Sequence, residues 1–531
     1  MKKFLPEIKG FLFLFFIFTI PAFFLTRSLQ LRLDTDYDAH LPIYEYFTES
    51  LKKGHGVPTW NPYVGTGIPV FGDPQTGIYN PVMILPSLVL GVDAGMWISI
   101  LFCFLFSGIS MWFFLSVVAA SRPLRFWAAA LYMFASGLFS KVAAGQVEHF
   151  FSFVLLPLFY LALLRSSGRR KDGMLTGLIL GLFLLFGDVY PVLYLSILFF
   201  VHTAVRFMRT RQFGQTVGYV GSTYLVFFVV ILPKLVPFVF TVLPIFDRYY
   251  QVRPKAGSIH LLFSIIPYVV PFQTSFYDRP FFRNLFGFEF NWHEYYAFIS
   301  PLPFLFLGKV QRVLATRMGT TLAGLIFTGF LYASLGYAYS PFYWIIKYVP
   351  FLGEFRAPQR MYVTLLPLVI GFLTLSAKKS FERPMSPSVS RVFTCLCVVS
   401  LAWVYATTLL SFTRAFEEKR TDEMHIAEYL RSVDKESFFV VTKSCCMQRF
   451  LMQQKIPLLN YYYGWRPKAT PGFVNFDTER FDDTVFSSVR PRYIIAKEDQ
   501  GDFSAYSYQR LYEYEDFIIW KTEKETIVST L

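Results

Sequence analysis

The segment that decides the fold of this chain is FLFLFFIFTIPAFFL, residues 11–25, which follows three lysines at positions 2, 3 and 9. A helix needs about 20 apolar residues to cross the hydrocarbon core of a bilayer. Basic residues before an apolar run are also typical of a signal peptide, but this run contains Pro21 and lacks an A-x-A cleavage pattern. We therefore expect an uncleaved first membrane helix.

Composition extends this expectation to most of the chain. The 531 residues are 54% hydrophobic and 20% aromatic, and only 16% are charged, whereas soluble domains carry about 25% charged residues. Because many apolar runs reach spanning length, the sequence predicts an all-α polytopic membrane protein with about eleven transmembrane helices. The predicted spans lie near residues 8–27, 96–118, 124–140, 150–165, 173–187, 191–205, 217–238, 296–308, 318–338, 361–377 and 392–412. The apolar, proline-interrupted residues 78–91 and 259–272 are expected to be interfacial or re-entrant.

The net charge of +14 comes from basic residues whose spacing fits the loops of a membrane protein and not a nucleic-acid-binding patch. Basic residues occur in short clusters between the apolar runs, and the clusters occupy alternate loops. Since loops rich in Lys and Arg stay in the cytoplasm, the pattern predicts a cytoplasmic N-terminus and an outer C-terminus. The predicted inner clusters are Lys2, Lys3 and Lys9; Arg122 and Arg125; Arg165, Arg169, Arg170 and Lys171; Arg206, Arg209 and Arg211; Lys309, Arg312 and Arg317; and Lys378, Lys379, Arg383 and Arg391.

Residues 413–531 differ from the rest of the chain because they are charged and carry no spanning run. A helix-like piece, TDEMHIAEYLRSV, is combined with the strand-like pieces SFFVVTK, RYIIAK and DFIIWK. We expect a small extracytoplasmic α/β domain here, after a catalytic membrane domain over residues 1–412. That membrane domain would include two long outer loops, residues 28–95 and 245–295.

Polar motifs are concentrated on the predicted outer side. The first outer loop contains DTDYD (Asp34 to Asp38) and WNPYVGTGIPVFGDPQTG (Trp60 to Gly77). GQVEHF (Gly145 to Phe150), FGDVYPVLY (Phe186 to Tyr194) and GEFRAPQRM (Gly353 to Met361) border later spans. Convergent polar groups on a helical scaffold are the default hypothesis for a binding site, so we expect these motifs to line one cavity.

Transfer of a sugar from a polyprenyl phosphate is a reaction that these residue types suit. The leaving group is already an ionised phosphate, so the protein needs one carboxylate to deprotonate the acceptor hydroxyl and cations to stabilise the departing phosphate. Asp36 would be the base, with Asp34 or Asp188 as a supporting carboxylate, and Arg356 and Arg360 would hold the phosphate. No cofactor is required, although a divalent cation between the carboxylates is compatible with the pattern.

The order of these motifs resembles that of the YfhO-like bacterial membrane proteins, which belong to the C-type (GT-C fold) glycosyltransferases. The similar features are an aspartate after the first span, P-x₁₅-P-x-W-N-P from Pro42 to Pro62, the GDPQTGIYNP run, and the later FGDVYPVLY and FRAPQR segments. The GDVYP segment departs from the His-Pro-Gln run that is usual in the family. The resemblance implies inverting transfer from a polyprenyl-phosphate sugar to an envelope glycan, lipid or protein, with Asp36 as the base because of its spacing to Pro42.

Each assignment has an alternative. The three aspartates suit a solvated boundary cluster, Trp60 and Asn61 suit a turn at the membrane interface, and Arg356 and Arg360 suit lipid headgroups. Alternative functions are a transporter or lipid flippase, which would place ionisable residues deep in several spans, and a non-catalytic envelope assembly protein. The predicted substrate-binding residues are Asp38, Trp60, Asn61, Asp73, Gln75, Glu148, Asp188, Tyr190, Arg356 and Arg360, and no metal-ligand spacing is present.

We expect two further residues to be structural. His149 suits a helix cap at the start of the fourth span. Lys234, within the seventh span, is expected to extend toward the outer membrane surface.

Overall fold

The computed structural model describes residues 5–32, 35–63, 67–73, 75–118, 121–242, 246–248, 268, 297–335, 360–381, 387–435, 440–442, 447–458, 465–467, 491–497, 503–504 and 507–522. The α-helices are α1 (Leu5–Thr26), α2 (Tyr37–Lys52), α3 (Pro81–Leu90), α4 (Val92–Val118), α5 (Arg122–Met133), α6 (Ser136–Ala143), α7 (Ser152–Arg165), α8 (Arg170–Leu185), α9 (Val189–Thr210), α10 (Phe213–Pro237), α11 (Val310–Leu314), α12 (Arg317–Leu335), α13 (Met361–Phe381), α14 (Pro387–Thr413), α15 (Thr421–Val433) and α16 (Met447–Gln453).

The strands are short and most lie toward the end of the chain. They are β1 (Gln30–Leu31), β2 (Trp60–Asn61), β3 (Ile68–Pro69), β4 (Phe246–Arg248), β5 (Phe416–Glu417), β6 (Val440–Thr442), β7 (Trp465–Pro467), β8 (Tyr493–Lys497), β9 (Gln509–Tyr514) and β10 (Phe517–Lys521). Two 3₁₀ helices, Val147–Phe151 and Leu302–Lys309, complete the regular elements used below.

The helices confirm a multi-pass membrane protein. Within the described residues, eight helical segments are long and apolar enough to cross a membrane, and each coincides with a predicted span. They are Pro6–Thr26, Val92–Val118, Arg122–Ala143, Val147–Arg165, Val189–Thr210, Phe213–Val242, Met361–Lys378 and Arg391–Thr413. The apolar piece at residues 78–91 is a ten-residue helix, α3, too short to span.

Three predicted spans are not among these eight segments. The predicted span at 173–187 is α8, which has 16 residues and begins with Arg170, Lys171 and Asp172. The span predicted at 318–338 falls on α12, which has 19 residues. The span predicted at 296–308 is wrong as an α-helix: its second half is the eight-residue 3₁₀ helix Leu302–Lys309, since prolines at 301 and 303 cannot donate the backbone hydrogen bonds of an α-helix interior.

The chain divides into two compact units. The first, which we call the helical unit, comprises Met1–Arg27, Trp97–Leu232 and Gln251–Ala415. The second, which we call the mixed unit, comprises Ser28–Met96, Pro233–Tyr250 and Phe416–Leu531. The first outer loop is therefore grouped with the C-terminal part of the chain, whereas the sequence assigned it to the membrane domain over residues 1–412.

The helical unit has an aromatic core. The fully buried Phe18 of α1 contacts the rings of Phe104, Phe139 and Phe412, with centroids 4.5, 5.2 and 5.6 Å away. These rings come from α4, α6 and α14, so α1 is packed against three helices that are distant in sequence. Edge-to-face and tilted contacts of this kind add to the stabilisation that burial provides.

Small residues bring two helices of the same unit together. Gly173, Gly177 and Gly181 recur every four residues along α8 and face α10. A Cβ atom at Gly177 would lie 2.0 Å from the carbonyl oxygen of Thr223, and one at Gly173 would lie 2.4 Å from that of Tyr219. Glycines at this spacing allow helix backbones to approach closely, as in many membrane helix pairs.

The mixed unit contains the expected C-terminal α/β structure. Its main sheet has the order β6-β8-β10-β9, in which β6 and β8 are parallel and the other neighbours antiparallel. One face is buried by Ile494, Ile518 and Trp520 with the nearby Phe503 and Tyr508. Two further strand pairs join distant segments, since β1 pairs with β5 and β4 pairs with β7.

Candidate functional site

A cluster of buried ionisable side chains lies in the helical unit, where three segments meet. The 3₁₀ helix Val147–Phe151 carries Glu148 and His149, the turn between α8 and α9 carries Asp188, and Arg360 directly precedes α13. Glu148, His149 and Asp188 are 7%, 5% and 2% exposed. Ionisable groups are costly at such positions in a membrane protein and are typical of functional sites.

The turn that carries Asp188 follows from the local sequence. α8 ends at Leu185, and Gly187 adopts a φ of +102°, a conformation that favours glycine and commonly terminates helices. Asp188 then has extended backbone at the N-cap of α9, but its side chain makes no capping hydrogen bond. Its carboxylate is directed to His149 instead, with Oδ1 2.8 Å from Nδ1.

The contacts of His149 determine its tautomer. Arg360 Nη1 lies 3.0 Å from His149 Nε2. Because a guanidinium only donates hydrogen bonds, Nε2 accepts, and the proton of the neutral imidazole is on Nδ1, the nitrogen that lies beside the Asp188 carboxylate. His149 thus lies between Arg360 and Asp188, with one ring nitrogen against each.

Aromatic and charged groups complete the site. The guanidinium carbon of Arg360 lies 3.9 Å from the centroid of the Tyr190 ring, which is a close cation–π contact. Lys141 of α6 is only 2% exposed. Lys141, His149, Asp188, Tyr190 and Arg360 line one cavity of about 20 Å³, which is enough for a water molecule. Two cations and a carboxylate therefore face the same small space.

Four of the predicted substrate-binding residues are in the helical unit. Asp188, Tyr190 and Arg360 line the cavity, and Glu148 Oε1 lies 4.0 Å from His149 Nε2. The structure brings these side chains together, whereas the roles assigned to them remain predictions. Asp34 and Arg356 lie outside the described residues, as does most of the predicted loop 245–295.

The acidic cluster of the first outer loop lies in the mixed unit. Asp36 directly precedes α2, is partly exposed, and accepts a hydrogen bond from the His40 N–H through its backbone carbonyl (3.2 Å). Its side chain makes no capping hydrogen bond to the helix. Asp38 belongs to the first turn of the same helix. Because Asp36 and Asp188 belong to different units, the convergence of all predicted motifs in one cavity stays a prediction.

The Trp60–Asn61 pair forms a strand in a small hairpin. Trp60 pairs with Pro69 and is 40% exposed, whereas Asn61 pairs with Ile68 and is fully buried. Asn61 Oδ1 accepts a hydrogen bond from the Tyr63 N–H at 3.0 Å. This contact is an Asx turn, so Asn61 shapes the local chain, as the structural alternative proposed.

Asp73 also organises a turn. It is 5% exposed, and its Oδ1 accepts a hydrogen bond from the Gln75 N–H at 2.8 Å. Burial raises the pKa of Asp73 to about 6, against the opposing effects of the Gln75 N–H, Lys234 and His40. Lys234 donates to the Thr76 carbonyl at 2.8 Å and is 2% exposed. Lys234 is thus hydrogen-bonded to the loop that carries Thr76, and its extension toward the outer membrane surface stays a prediction.

Sequence reasoning missed two residues of the cluster, His149 and Lys141. The N-caps of the 3₁₀ helix and of α7 are Gln146 and Phe151, so His149 is not a helix cap. Its position within a GQVEHF motif between two spans was the available signal. Within the described residues, no group of three or more His, Cys, Asp or Glu side chains is arranged to hold a metal ion.

Comparison with known proteins gives a likeness of fold. The sequence matches no protein-family model and no curated protein. The structure is similar to that of the arabinofuranosyltransferase AftD from mycobacteria, with a TM-score of 0.54 and 11% identity over 96% of this chain. The chain spans 40% of the AftD chain, and a mutant form of AftD gives a TM-score of 0.52 at 10% identity, with 92% and 36% of the two chains covered.

A second similar structure is ArnT from Cupriavidus metallidurans in its apo state, with a TM-score of 0.48 and 13% identity over 96% of this chain and 98% of ArnT. At these identities the likeness concerns the fold alone. The likeness to AftD agrees with the polytopic helical fold that the motif order implied.

Proposed function

We propose that this protein is a glycosyltransferase that moves a sugar from a polyprenyl-phosphate donor to an acceptor of the cell envelope. The observation that carries the proposal is a pair of cations, the buried Lys141 and the half-buried Arg360, on one small cavity with Asp188. Burial of a cation in a membrane protein costs free energy, and cations at such positions are commonly functional. The fold shared with AftD, a sugar transferase, agrees with this function.

The cations fit the leaving group of such a reaction. An oxygen of the acceptor hydroxyl attacks the anomeric carbon, the bond from that carbon to the phosphate oxygen breaks, and the phosphate leaves with the electron pair. Arg360 and Lys141 would stabilise the negative charge that grows on this phosphate. Attack from the face opposite to the leaving group inverts the anomeric centre.

The proton of the acceptor hydroxyl requires a carboxylate base. The motif order assigns this role to Asp36, with Asp34 as its supporting carboxylate and Asp38 in the same acidic cluster. We place the site at the outer membrane face, with the N-terminus in the cytoplasm. A resident metal ion is not required, because the two cations already balance the charge of the phosphate.

The proposal is tested with the full-length protein in detergent and with farnesyl phosphate, a short polyprenyl phosphate, as the probe. Farnesol, which lacks the phosphate, is the matched ligand control. We expect phosphate-dependent binding that Arg360→Gln weakens by about tenfold or more, as for the loss of a charge-assisted hydrogen bond. Arg209→Gln, which removes an exposed arginine at the end of α9, should leave binding unchanged. Equal binding of farnesol and farnesyl phosphate would overturn the proposal.

Catalysis is tested in cells in which deletion of the gene changes an envelope glycan. Asp36→Asn should abolish complementation at normal protein levels, and Asp38→Asn serves as the neighbouring control. Membranes dissolved in detergent separate the transferase from a flippase, since a transferase forms its product without a membrane barrier. Restoration of the glycan by Asp36→Asn would show that Asp36 is not the base.

A further inference from the structure

We infer that His149 and Asp188 are positioning residues that hold Arg360 in place for the donor phosphate. This inference rests on the proposed function, because it concerns how the same site binds its donor. Neither residue needs to touch the substrate. Each acts on the guanidinium, His149 directly and Asp188 through the imidazole.

Two contacts define the position and plane of the guanidinium. Nη1 donates to His149 Nε2 at 3.0 Å, and the Tyr190 ring covers one face with its centroid 3.9 Å from the guanidinium carbon. An arginine side chain loses substantial rotamer freedom when it is ordered. Contacts made before the donor arrives remove that entropic cost from the binding step. The guanidinium is thus preorganised at the cavity that it lines.

Asp188 is needed because imidazole has two tautomers. A proton on Nδ1 leaves Nε2 able to accept a hydrogen bond from Arg360. A proton on Nε2 would instead point the Nε2–H donor at the N–H donor of Arg360. The Asp188 carboxylate, 2.8 Å from Nδ1 and 2% exposed, selects the first tautomer. Orientation of a histidine by a carboxylate on its other nitrogen is a recurring arrangement in functional sites.

The remaining charged neighbours fit the same arrangement. Glu148 Oε1 lies 4.0 Å from His149 Nε2, and Lys141 lines the cavity with Arg360. A proton on His149 Nε2 would face the Nη1 donor of Arg360 at 3.0 Å, so this contact favours an Nε2 that carries no proton. Lys141, Asp188 and Arg360 therefore bring their charges to the cavity, and the His149 ring, which also lines it, lies between Arg360 and Asp188.

The test measures binding of farnesyl phosphate to the full-length protein in detergent. His149→Leu, which removes the acceptor, should weaken binding about tenfold. His149→Gln should keep most of the affinity, because its amide oxygen accepts a hydrogen bond from the guanidinium. Asp188→Asn should weaken binding in the His149 protein and have little effect in the His149→Gln protein, in which no tautomer remains to be selected.

A double-mutant cycle separates positioning from a general structural role. In the Arg360→Gln protein, His149→Leu should have no further effect on binding, since the group it positions is already absent. A tenfold loss in both backgrounds would overturn the inference while leaving the proposed function intact. Binding of farnesyl phosphate that does not exceed binding of farnesol would overturn both. Size-exclusion profiles and thermal unfolding of each variant identify losses that are due to misfolding.

Discussion

Arg449 of α16 forms an ion pair with Glu45 of α2, a residue 404 positions earlier in the chain, and its Nε and Nη2 both donate to Glu45 Oε1. Arg449 Nε lies 2.8 Å from Glu45 Oε1, and Nη2 lies 2.6 Å from Asp93 Oδ2 at the start of α4. Burial acts to lower the pKa of Arg449, but the carboxylates of Glu45 and Asp93 outweigh it and raise that pKa. Within the mixed unit, the C-terminal part of the chain thus holds the helix that Asp36 precedes.

Removal of this arginine should destabilise the mixed unit. Arg449→Met leaves Glu45, which is 15% exposed, beside an apolar side chain, and loss of one partner of a buried pair costs about 3–5 kcal/mol. Arg449→Met with Glu45→Leu should be less destabilised than Arg449→Met alone, because the unpaired carboxylate is gone. Denaturant unfolding of the purified protein measures both, and Arg510→Met, in an exposed pair with Glu513, should change stability by less than about 1 kcal/mol. Equal losses of unfolding free energy in Arg449→Met and Arg510→Met would contradict a stabilising role for the Arg449 ion pair.

Asp73 should make stability depend on pH. Its pKa is about 6 in the folded protein because of burial, compared with about 4 in an unfolded chain. Between these values the folded protein holds a proton that the unfolded chain has released, so stability falls as pH rises from about 4 to 6 and is level above that. Asp73→Asn lacks this dependence and keeps the acceptor for the Gln75 N–H.

The melting temperature of Asp73→Asn minus that of the natural protein should therefore grow between pH 4 and 6. The corresponding free-energy difference is on the order of 1–3 kcal/mol. Asp516→Asn, at an exposed turn between β9 and β10, is the control and should show a constant difference. A difference for Asp73→Asn that shrank over this pH range would refute the prediction.

Gly177→Ala should destabilise the helical unit. Its new Cβ would lie 2.0 Å from the Thr223 carbonyl oxygen and 2.9 Å from the carbonyl carbon. These are backbone atoms, so α8 and α10 would have to separate, and overpacking of this kind costs about 1–3 kcal/mol. Gly221→Ala is the matched control on α10, since nothing lies within 4 Å of its Cβ position. Thermal unfolding in detergent should show a lower melting temperature for Gly177→Ala only.

Arg360→Lys should fail to replace arginine in binding of farnesyl phosphate. Lysine keeps the positive charge, but its ammonium cannot form the planar fork of a guanidinium or stack as arginine does on the Tyr190 ring. We expect Arg360→Lys to bind about tenfold more weakly than the natural protein. Arg209→Lys is the control for a change of arginine to lysine at the end of α9. An unchanged affinity in Arg360→Lys would show that charge alone is sufficient.

The sequence predicted the elements whose signal is local. Apolar runs identified the eight segments that are long enough to span, and the pieces RYIIAK and DFIIWK became β8 and β10. β9 was missed because its sequence, QRLYEY, mixes charged and aromatic residues on a mostly exposed edge strand. The 3₁₀ helix at residues 302–309 was mistaken for a span because the prediction relied on apolar composition. Composition does not show that the prolines at 301 and 303 lack the backbone N–H groups of an α-helix.

The candidate site was predicted in part for the same reason. Asp188, Tyr190 and Arg360 stood out as polar residues at the ends of spans, and the structure places all three on one cavity. That His149 meets Arg360, 211 positions later, depends on how distant helices pack, and no local pattern contains that information. The assignment of Asp36 as the base came from the order of motifs and stays a prediction.

The pairing of β1 with β5 has a consequence for synthesis. Gln30 Nε2 lies 3.5 Å from Glu417 Oε1, and the two residues are 387 positions apart. At a synthesis rate of about 5–20 residues per second, the second strand emerges roughly 20–80 s after the first. During that interval β1, at the start of the loop that carries the acidic cluster, lacks its partner strand β5. A ribosome that stalls before residue 416 would therefore leave an inserted membrane bundle whose acidic loop has no partner strand.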